Sequence, residues 1–218
     1  MAASAFLRGC VRAIVYVDGF NLYYRALKGL GCNWLNLQTL AGLLLPKYTI
    51  VKIRYFTALV APSAHDRDQH LRQQTYIRAL ETLPNIEVHY GTFMTGEKNM
   101  PDAAEWRQGR LVQVRVIKTE EKGSDVNIAT HMLCDGFRDA YDVAALVSND
   151  TDLVEPLRVI REELSKGVAL LTPGKHPSPK LARYASTIRQ IRPGVLRASL
   201  FPDVLSDVSG TFSKPSGW

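Results

Sequence analysis

Short apolar runs alternate along the chain with longer stretches of helical periodicity. The apolar runs lie at residues 13–17, 50–60, 86–94, 143–147 and 168–171. Runs of this length are typical of strands that are buried on both faces of a sheet. Apolar residues at helical spacing predict helices at residues 37–45, 66–83, 124–137, 152–164 and 178–185. The alternation predicts an α/β fold with three α/β/α layers and a mainly parallel central sheet.

Three other segments do not follow this alternation. Residues 112–118 alternate between apolar and polar types, which favours an edge or hairpin strand. Residues 95–109 carry two glycines, a proline and several charges, and we expect a mobile loop there. No element can be assigned to residues 193–218. We therefore expect one domain over residues 1–192 and a C-terminal tail that is packed on it or partly extended.

Charge is distributed unevenly along the chain. The formal net charge is +6, yet residues 164–202 contain no Asp or Glu at all. The same stretch holds seven positive side chains, which exceed the whole excess: Lys166, Lys175, Lys180, Arg183, Arg189, Arg192 and Arg197. A segment of one sign favours a polyanionic partner, although a solvated surface alone would also explain it.

Cysteine spacing and hydropathy indicate the compartment. Cys10, Cys32 and Cys134 lie far apart and are odd in number, which favours reduced thiols over disulfides or a zinc site. No apolar run approaches the roughly 20 residues that a membrane-spanning helix needs. The first residues lack the pattern of a secretory signal. We expect a cytoplasmic protein without a membrane partner.

Carboxylates follow two of the predicted strands. Asp18 comes directly after the strand at 13–17, and Asp150 and Asp152 follow the strand at 143–147. The carboxyl ends of parallel strands meet at one edge of a sheet, where ligands bind in such folds. Taken singly, an Asp in these places is also a common turn former or helix cap.

Asp125 reaches the same region from a helix. It lies in the first turn of the predicted helix at 124–137, which we expect Ser124 to cap. Counting onward by threes and fours leads to the apolar stripe that faces the protein interior. Four carboxylates brought together would repel one another unless a cation were shared. Mg²⁺ and Mn²⁺ are the hard ions that prefer such oxygen ligands.

Three motifs carry a resemblance to a known family. They are Val-Asp-Gly-Phe-Asn-Leu-Tyr-Tyr at 17–24, Lys-Gly-Ser-Asp-Val at 122–126 and Leu-Val-Ser-Asn-Asp-Thr-Asp-Leu at 146–153. In this order and spacing the chain resembles the NYN domain family, a branch of the PIN-like nucleases, over residues 13–192. The resemblance implies an endoribonuclease that depends on Mg²⁺ or Mn²⁺.

The resemblance also implies the roles of individual residues. The metal-site and catalytic acids would be Asp18, Asp125, Asp150 and Asp152, with Asn21 and Ser148 as supporting polar groups. Many relatives carry a further acid six positions after Asp125, where this chain has His131. We expect His131 to be an ordinary helix residue. Whether one or two ions bind therefore stays open.

Substrate contacts are expected next to these acids. Tyr23 and Tyr24 could stack on the bases of a single strand, while Lys118 and Lys122 could contact phosphates. RNA rather than DNA follows from the family alone, and DNA stays open. A homodimer is also compatible with the sequence. With a hydroxide as nucleophile, the products would carry a 5′-phosphate.

Two other functions are compatible with the pattern. Asp150-Thr151-Asp152 after an apolar strand suggests a haloacid-dehalogenase-like phosphohydrolase, although Ser148 and Asn149 separate the acid from the strand end. A non-catalytic RNA-binding or adaptor module could keep the same fold. The spacing counts against the phosphohydrolase, and the four acids beside a basic stretch favour the nuclease over the adaptor.

Overall fold

The computed structural model describes residues 10–63 and 66–218. Their strands are β1 (Arg12–Asp18), β2 (Thr49–Thr57), β3 (Ile86–Tyr90), β4 (Thr92–Pro101), β5 (Gln113–Lys122), β6 (Val143–Val147), β7 (Gly167–Thr172), β8 (Thr187–Gln190), β9 (Val204–Asp207) and β10 (Gly210–Ser213). Their helices are α1 (Gly19–Leu22), α2 (Leu37–Leu44), α3 (Gln69–Glu81), α4 (Ala103–Arg107), α5 (Ser124–Phe137), α6 (Val154–Arg158), α7 (Pro179–Ala182) and α8 (Pro193–Arg197). Wider helical turns, Tyr23–Leu27 and Val159–Glu163, extend α1 and α6.

A six-stranded parallel sheet in the order β3-β2-β1-β6-β7-β8 forms the centre of the fold. Helices cover both of its faces, so the predicted three-layer α/β fold is confirmed. The chain leaves β1 toward β3 and then returns to β6, beside β1, before it proceeds to β8. The strand order therefore reverses between β1 and β6, the place where sheets of this type bind ligands.

β1 shows why the central strands read as continuous apolar runs. Val15 and Val17 belong to one core cluster, and Ile14 and Tyr16 belong to the cluster on the opposite face. Successive side chains of a strand point to opposite faces, so a strand covered on both sides must be apolar throughout. β6 is likewise buried at every position.

An antiparallel ribbon of β4 and β5 lies outside the main sheet, with α4 between its strands. The prediction of a mobile loop at 95–109 is therefore wrong, whereas the hairpin strand predicted at 112–118 is present as part of β5. Every residue of β4 is exposed, so no buried face imposes an apolar alternation that the sequence could reveal.

Gly91 separates β3 from β4, so the prediction of a single strand at 86–94 is wrong. A Cβ at this position would come within 2.8 Å of the Lys122 carbonyl oxygen and even closer to the Glu121 carboxylate. Only a glycine allows the ribbon to pass so near to the start of α5. The ribbon and α5 thereby meet at the carboxyl edge of the sheet.

A buried ion pair holds α5 against the sheet. Arg54 donates from Nε and Nη2 to the two carboxylate oxygens of Asp135, at 2.8 and 3.0 Å, and Tyr16 donates to Oδ2 at 2.8 Å. Burial opposes ionisation, but these hydrogen bonds keep the pKa of Asp135 below its ordinary value. The pair fixes the helix whose first turn carries Asp125.

The segment from α8 onward covers the edge of one core cluster. Trp34 donates from Nε1 to the Pro202 carbonyl oxygen at 2.8 Å, and Arg78 donates to both oxygens of Asp207 at 2.6 and 2.8 Å. The Trp218 ring centroid lies 5.8 Å from that of Tyr76. These contacts place the last residue of the chain beside α3, near the first helical turn after β1.

Two further features concern the cysteines and the helices. Cys10, Cys32 and Cys134 are free. Within residues 10–63 and 66–218, none of the helices combines the length and the apolar character needed to cross a bilayer.

Candidate active site

Asp18 is the last residue of β1 and caps α1. Its side chain is nearly buried: Oδ1 accepts from the Asn21 N–H at 2.9 Å, and Oδ2 accepts from the Ser148 hydroxyl at 2.9 Å. Burial raises the pKa of Asp18, although both hydrogen bonds act in the opposite direction. The carboxylate therefore has a fixed orientation and an environment that disfavours its own charge.

The turn after β6 is joined to Asp18 through polar side chains. Ser148 is fully buried, and its Oγ accepts from the Asp150 N–H at 3.0 Å while its hydroxyl donates to Asp18. The Oδ1 of Asn21 accepts from the Asn149 N–H at 3.1 Å. Both residues that were predicted as polar supports thus connect β1 to the Asp150 turn.

Asp150 and Asp152 belong to the short helical turn before α6. Asp150 caps this turn, with Oδ1 accepting from the Asp152 N–H at 3.0 Å. Asp150 faces the same cavity as Asp18, whereas Asp152 is exposed and does not line it. Asp152 still acts on the cavity electrostatically, because its charge raises the pKa of Asp125.

Asp125 approaches the cavity from the first turn of α5. Gly123, with φ of +98°, occupies the cap position and Ser124 is already helical, so the expectation that Ser124 caps the helix is wrong. Burial raises the pKa of Asp125 to about 6, with further contributions from the charges of Asp18, Asp150, Glu121 and Asp152. The four acids that add to the effect of burial come from separate segments of the chain, so their negative charges act on one side chain.

Glu121 is a fifth carboxylate at this site and was not among the predicted site residues. It lies near the end of β5, and its Oε1 accepts from the backbone N–H of Ser124 at 3.1 Å and from its hydroxyl at 2.8 Å. Glu121 lines the cavity together with Asp18, Asp125 and Asp150. The signal for it was an acid at a strand end just before a helix, but its position depends on the unpredicted ribbon.

His131 lies elsewhere on α5. Its ring centroid is 4.1 Å from that of His89 and 5.7 Å from that of Phe56. It packs within the protein and does not line the acidic cavity. The carboxylate absent from this position of the helix is therefore not replaced by a histidine ligand.

The acidic cavity has a volume of about 330 Å³ and opens at the carboxyl edge of the sheet. Four acids line it, and the other lining residues are Phe20, Asn21, Tyr24, Arg25, Phe93 and Ser124. Three separate parts of the chain, the ends of β1 and β6 and the start of α5, converge here. The cavity lies where the strand order reverses.

Comparison with known proteins assigns the family. The NYN domain model matches residues 12–191. The chain belongs to the NYN domain family. This family is part of the PIN-like nuclease superfamily, whose members are generally nucleases that use divalent metals and act on nucleic acids.

Two individual proteins are similar to this NYN domain. One is 6-hydroxy-3-succinoylpyridine 3-monooxygenase HspA of Pseudomonas putida (strain DSM 28022 / S16), 30% identical over 236 residues, which cover 95% of this chain and 75% of that protein. The other is a protein of unknown function from Vibrio parahaemolyticus RIMD 2210633, known from its crystal structure. The superposition has a TM-score of 0.54 at 17% identity and covers 84% of this chain and 94% of that chain. The second likeness supports the fold alone.

The donor set of the NYN domain suits a hard divalent ion. Within the described parts of the chain, no three His, Cys, Asp or Glu side chains are grouped closely enough to hold an ion as they stand. Mg²⁺ usually keeps several waters and is held by one or two carboxylates, so it does not require a closed cage of side chains. Burial and, after it, the charges of the neighbouring acids raise the pKa of Asp125, and a bound cation would offset both. The residues therefore fit a hydrated ion.

The predicted substrate residues fall in two places. Tyr24 is 62% exposed and lines the acidic cavity; Tyr23 is 38% exposed, and the two ring centroids are 5.1 Å apart. Lys118 and Lys122 lie on β5 and pair with Glu120, whose pKa their hydrogen bonds and that of Lys98 lower to about 2. Neither lysine lines the cavity. Their contact with phosphate stays a prediction.

The cations of the acid-free segment are mostly exposed to solvent. Lys166 is largely buried and pairs with Asp139, whereas the other six cations are exposed and form no ion pair within the described chain: Lys175, Lys180, Arg183, Arg189, Arg192 and Arg197. Asn149 connects this segment to the Asp150 turn. Its Nδ2 donates to the His176 carbonyl oxygen at 3.0 Å, and its Oδ1 accepts from the Ser178 N–H at 2.6 Å.

Proposed function

We propose that this NYN domain is a Mg²⁺- or Mn²⁺-dependent endoribonuclease that hydrolyses phosphodiester bonds in single-stranded or structured RNA. The observation that carries the proposal is the convergence of acids from three chain segments on one cavity, with the pKa of Asp125 raised to about 6. Family membership supports it, because NYN domains generally act on nucleic acids.

The acids and their supports have distinct roles in this proposal. Asp18, Asp125 and Asp150 would hold the divalent ion, which supplies Lewis-acid chemistry at the phosphate and acidifies water. The Ser148 and Asn21 hydrogen bonds keep Asp18 and the Asp150 turn in one arrangement. Asp152 adds negative charge from outside the cavity, and Arg25 offers a cation at its wall.

The proposed hydrolysis breaks one phosphodiester bond and consumes one water molecule. A water oxygen bonds to phosphorus, the bond from phosphorus to the 3′ oxygen breaks, and the water proton passes to the leaving oxygen. The products are a 5′-phosphate and a 3′-hydroxyl. The exposed cations of residues 175–197 would bind the phosphates on either side, and their unpaired charge makes them suited to a polyanion.

Cleavage of a labelled single-stranded RNA with Mg²⁺, with Mn²⁺ and in EDTA tests the proposal. Asp150→Asn should bind the RNA as tightly as the wild type and cut it at least a hundredfold more slowly, roughly the loss expected for a direct catalytic contact. Asp203→Asn, an exposed acid far along the chain, is the matched control and should cut normally. Undiminished cleavage in EDTA would reject metal dependence, and a wild type that binds but never cuts would indicate an adaptor.

A second candidate function comes from the similarity to HspA. That protein is named as a monooxygenase of 6-hydroxy-3-succinoylpyridine, and its alignment, at 30% identity, covers 95% of this chain. A monooxygenase places one oxygen atom of O₂ on the ring and reduces the other to water with two electrons from a donor such as a reduced nicotinamide. Incubation with that pyridine, O₂ and NADH, followed by oxygen consumption and the change in ring absorbance, distinguishes it from the nuclease.

A further inference from the structure

A second cavity of about 280 Å³ lies next to the acidic cavity. Phe20 and Tyr24 line both, so the two spaces share a wall. The volume is close to the lower end of the range for small-molecule sites in proteins, about 300 Å³. A ligand part the size of one aromatic ring system can therefore occupy the second cavity while an attached phosphate reaches the acids.

Aromatic side chains form part of the wall of this cavity, which also includes the charged side chains of Lys28, Asp66 and Arg72. Tyr55 and Tyr76 lie edge to face with ring centroids 6.1 Å apart, and Trp218 lies 5.8 Å from Tyr76. The Tyr76 hydroxyl donates to the Leu35 carbonyl at 2.9 Å, which holds the ring in place. Tyr24, at the shared wall, leaves 62% of its surface to solvent. Rings arranged in this way favour a flat aromatic ligand.

One polar atom in the cavity wall lacks a partner. The Oδ1 of Asn33 is buried and accepts no hydrogen bond from the described residues. Gln73, by contrast, is fully engaged: it donates to Thr57 and Ala58 and accepts from the Val60 N–H at 2.9 Å. A buried acceptor left unpaired is destabilising, so Asn33 is suited to a ligand that brings a donor.

We propose that this cavity binds a nucleobase of the RNA, with the base stacked beside Tyr24 and Trp218 and a base N–H donating to Asn33. Nucleobases combine the flat ring that the aromatic walls accept with the donor that Asn33 lacks. The assignment rests on the proposed function for the identity of the attached strand. Base binding itself requires neither metal nor cleavage.

Fluorescence of Trp218 provides a direct test. Adenosine and ribose are titrated separately into the full chain in EDTA, so neither phosphate nor metal contributes. Adenosine should quench the emission and bind at least about tenfold more tightly than ribose, in line with the energy of base stacking on aromatic side chains. Trp218→Phe should remove the quenching, which separates Trp218 from Trp34 and Trp106.

Variants of the wall complete the experiment. Tyr24→Ala and Asn33→Leu should each weaken adenosine binding about fivefold or more, while Phe137→Ala, an exposed aromatic outside both cavities, should leave it unchanged. Equal affinity for adenosine and ribose would overturn the proposal. So would quenching that survives Trp218→Phe, if Tyr24→Ala and Asn33→Leu also bind adenosine as tightly as the wild type does. If the protein binds adenosine but never cuts RNA, the base site stands and the proposed nuclease function fails. If it cuts RNA but does not prefer adenosine to ribose, the nuclease function stands and the base site fails.

Discussion

Replacing Asp125 by Asn should stabilise the metal-free protein while it removes a proposed metal ligand. The pKa of Asp125 rises from 3.8 to about 6, and each pKa unit corresponds to about 1.4 kcal/mol, so the charged form carries a penalty of about 3 kcal/mol. The side chain is only partly buried, and solvent screening reduces this to about 1–2 kcal/mol. Loss of the favourable helix-terminus interaction costs roughly 0.5 kcal/mol. The net gain is about 1 kcal/mol.

The pH dependence fixes the sign of this effect. A raised carboxyl pKa means that the folded state prefers the protonated form. The contribution of Asp125 to the stability of the wild type therefore falls as pH rises from about 4 to 6 and is fully lost above that range. Asn does not titrate. Thermal unfolding in EDTA should therefore give similar melting temperatures near pH 4, and one about 2–4 °C higher for Asp125→Asn at pH 8.

The exposed acid of the same site is the matched control. Asp152→Asn should raise the melting temperature much less than Asp125→Asn, because Asp152 is solvated and its charge is the smallest of the four acidic contributions to the raised pKa of Asp125. Equal melting temperatures of Asp125→Asn and wild type at pH 8, or a lower one for the variant, would refute the electrostatic reasoning.

Three further effects follow from the same contacts. Mg²⁺ at a hundred times its dissociation constant should stabilise the wild type by about 2.7 kcal/mol and Asp125→Asn by clearly less, as measured by thermal unfolding; equal shifts would place the ion elsewhere. Lys180→Gln with Arg183→Gln should weaken RNA binding and flatten its salt dependence by about 1.4 in slope, while Arg158→Gln, whose cation is paired with acids, should not; an unchanged slope in the double variant counts against this surface. Asp135→Asn should cost about 1–3 kcal/mol in urea unfolding, because it removes the buried carboxylate from Arg54 and leaves this cation paired only with the more exposed Glu87; a loss below about 0.5 kcal/mol would show that the buried pair is not needed.

The parts of the fold that are covered on both sides could be predicted from the sequence. The bounds of β6 and α5 agree with the predicted segments at 143–147 and 124–137, since burial imposes the period of two or of 3.6 on the residue types. The ribbon lies outside the core, so its strands of mixed polarity resembled a loop. The elements after residue 186 are short and take their stability from contacts such as Trp34 with Phe201, which span the chain.

The acidic site could be anticipated for a related reason. Asp18 and Asp150 follow strands that the apolar pattern locates, and the parallel topology then brings their ends together. Glu121 could not be found in this way, because its position depends on how the ribbon returns past Gly91. The second cavity escaped prediction as well, since Asn33 and Trp218 come to line one cavity only in the folded chain.

The central claim is that Asp18, Asp125 and Asp150 share a divalent ion. A crystal of the protein soaked in Mn²⁺ tests it through the anomalous scattering of the metal. We expect a peak in the cavity between β1, β6 and α5, at about 2.0–2.4 Å from oxygens of at least two of these acids, with waters completing the shell. A crystal that shows the three carboxylates turned apart, with no anomalous peak between them, would contradict the claim.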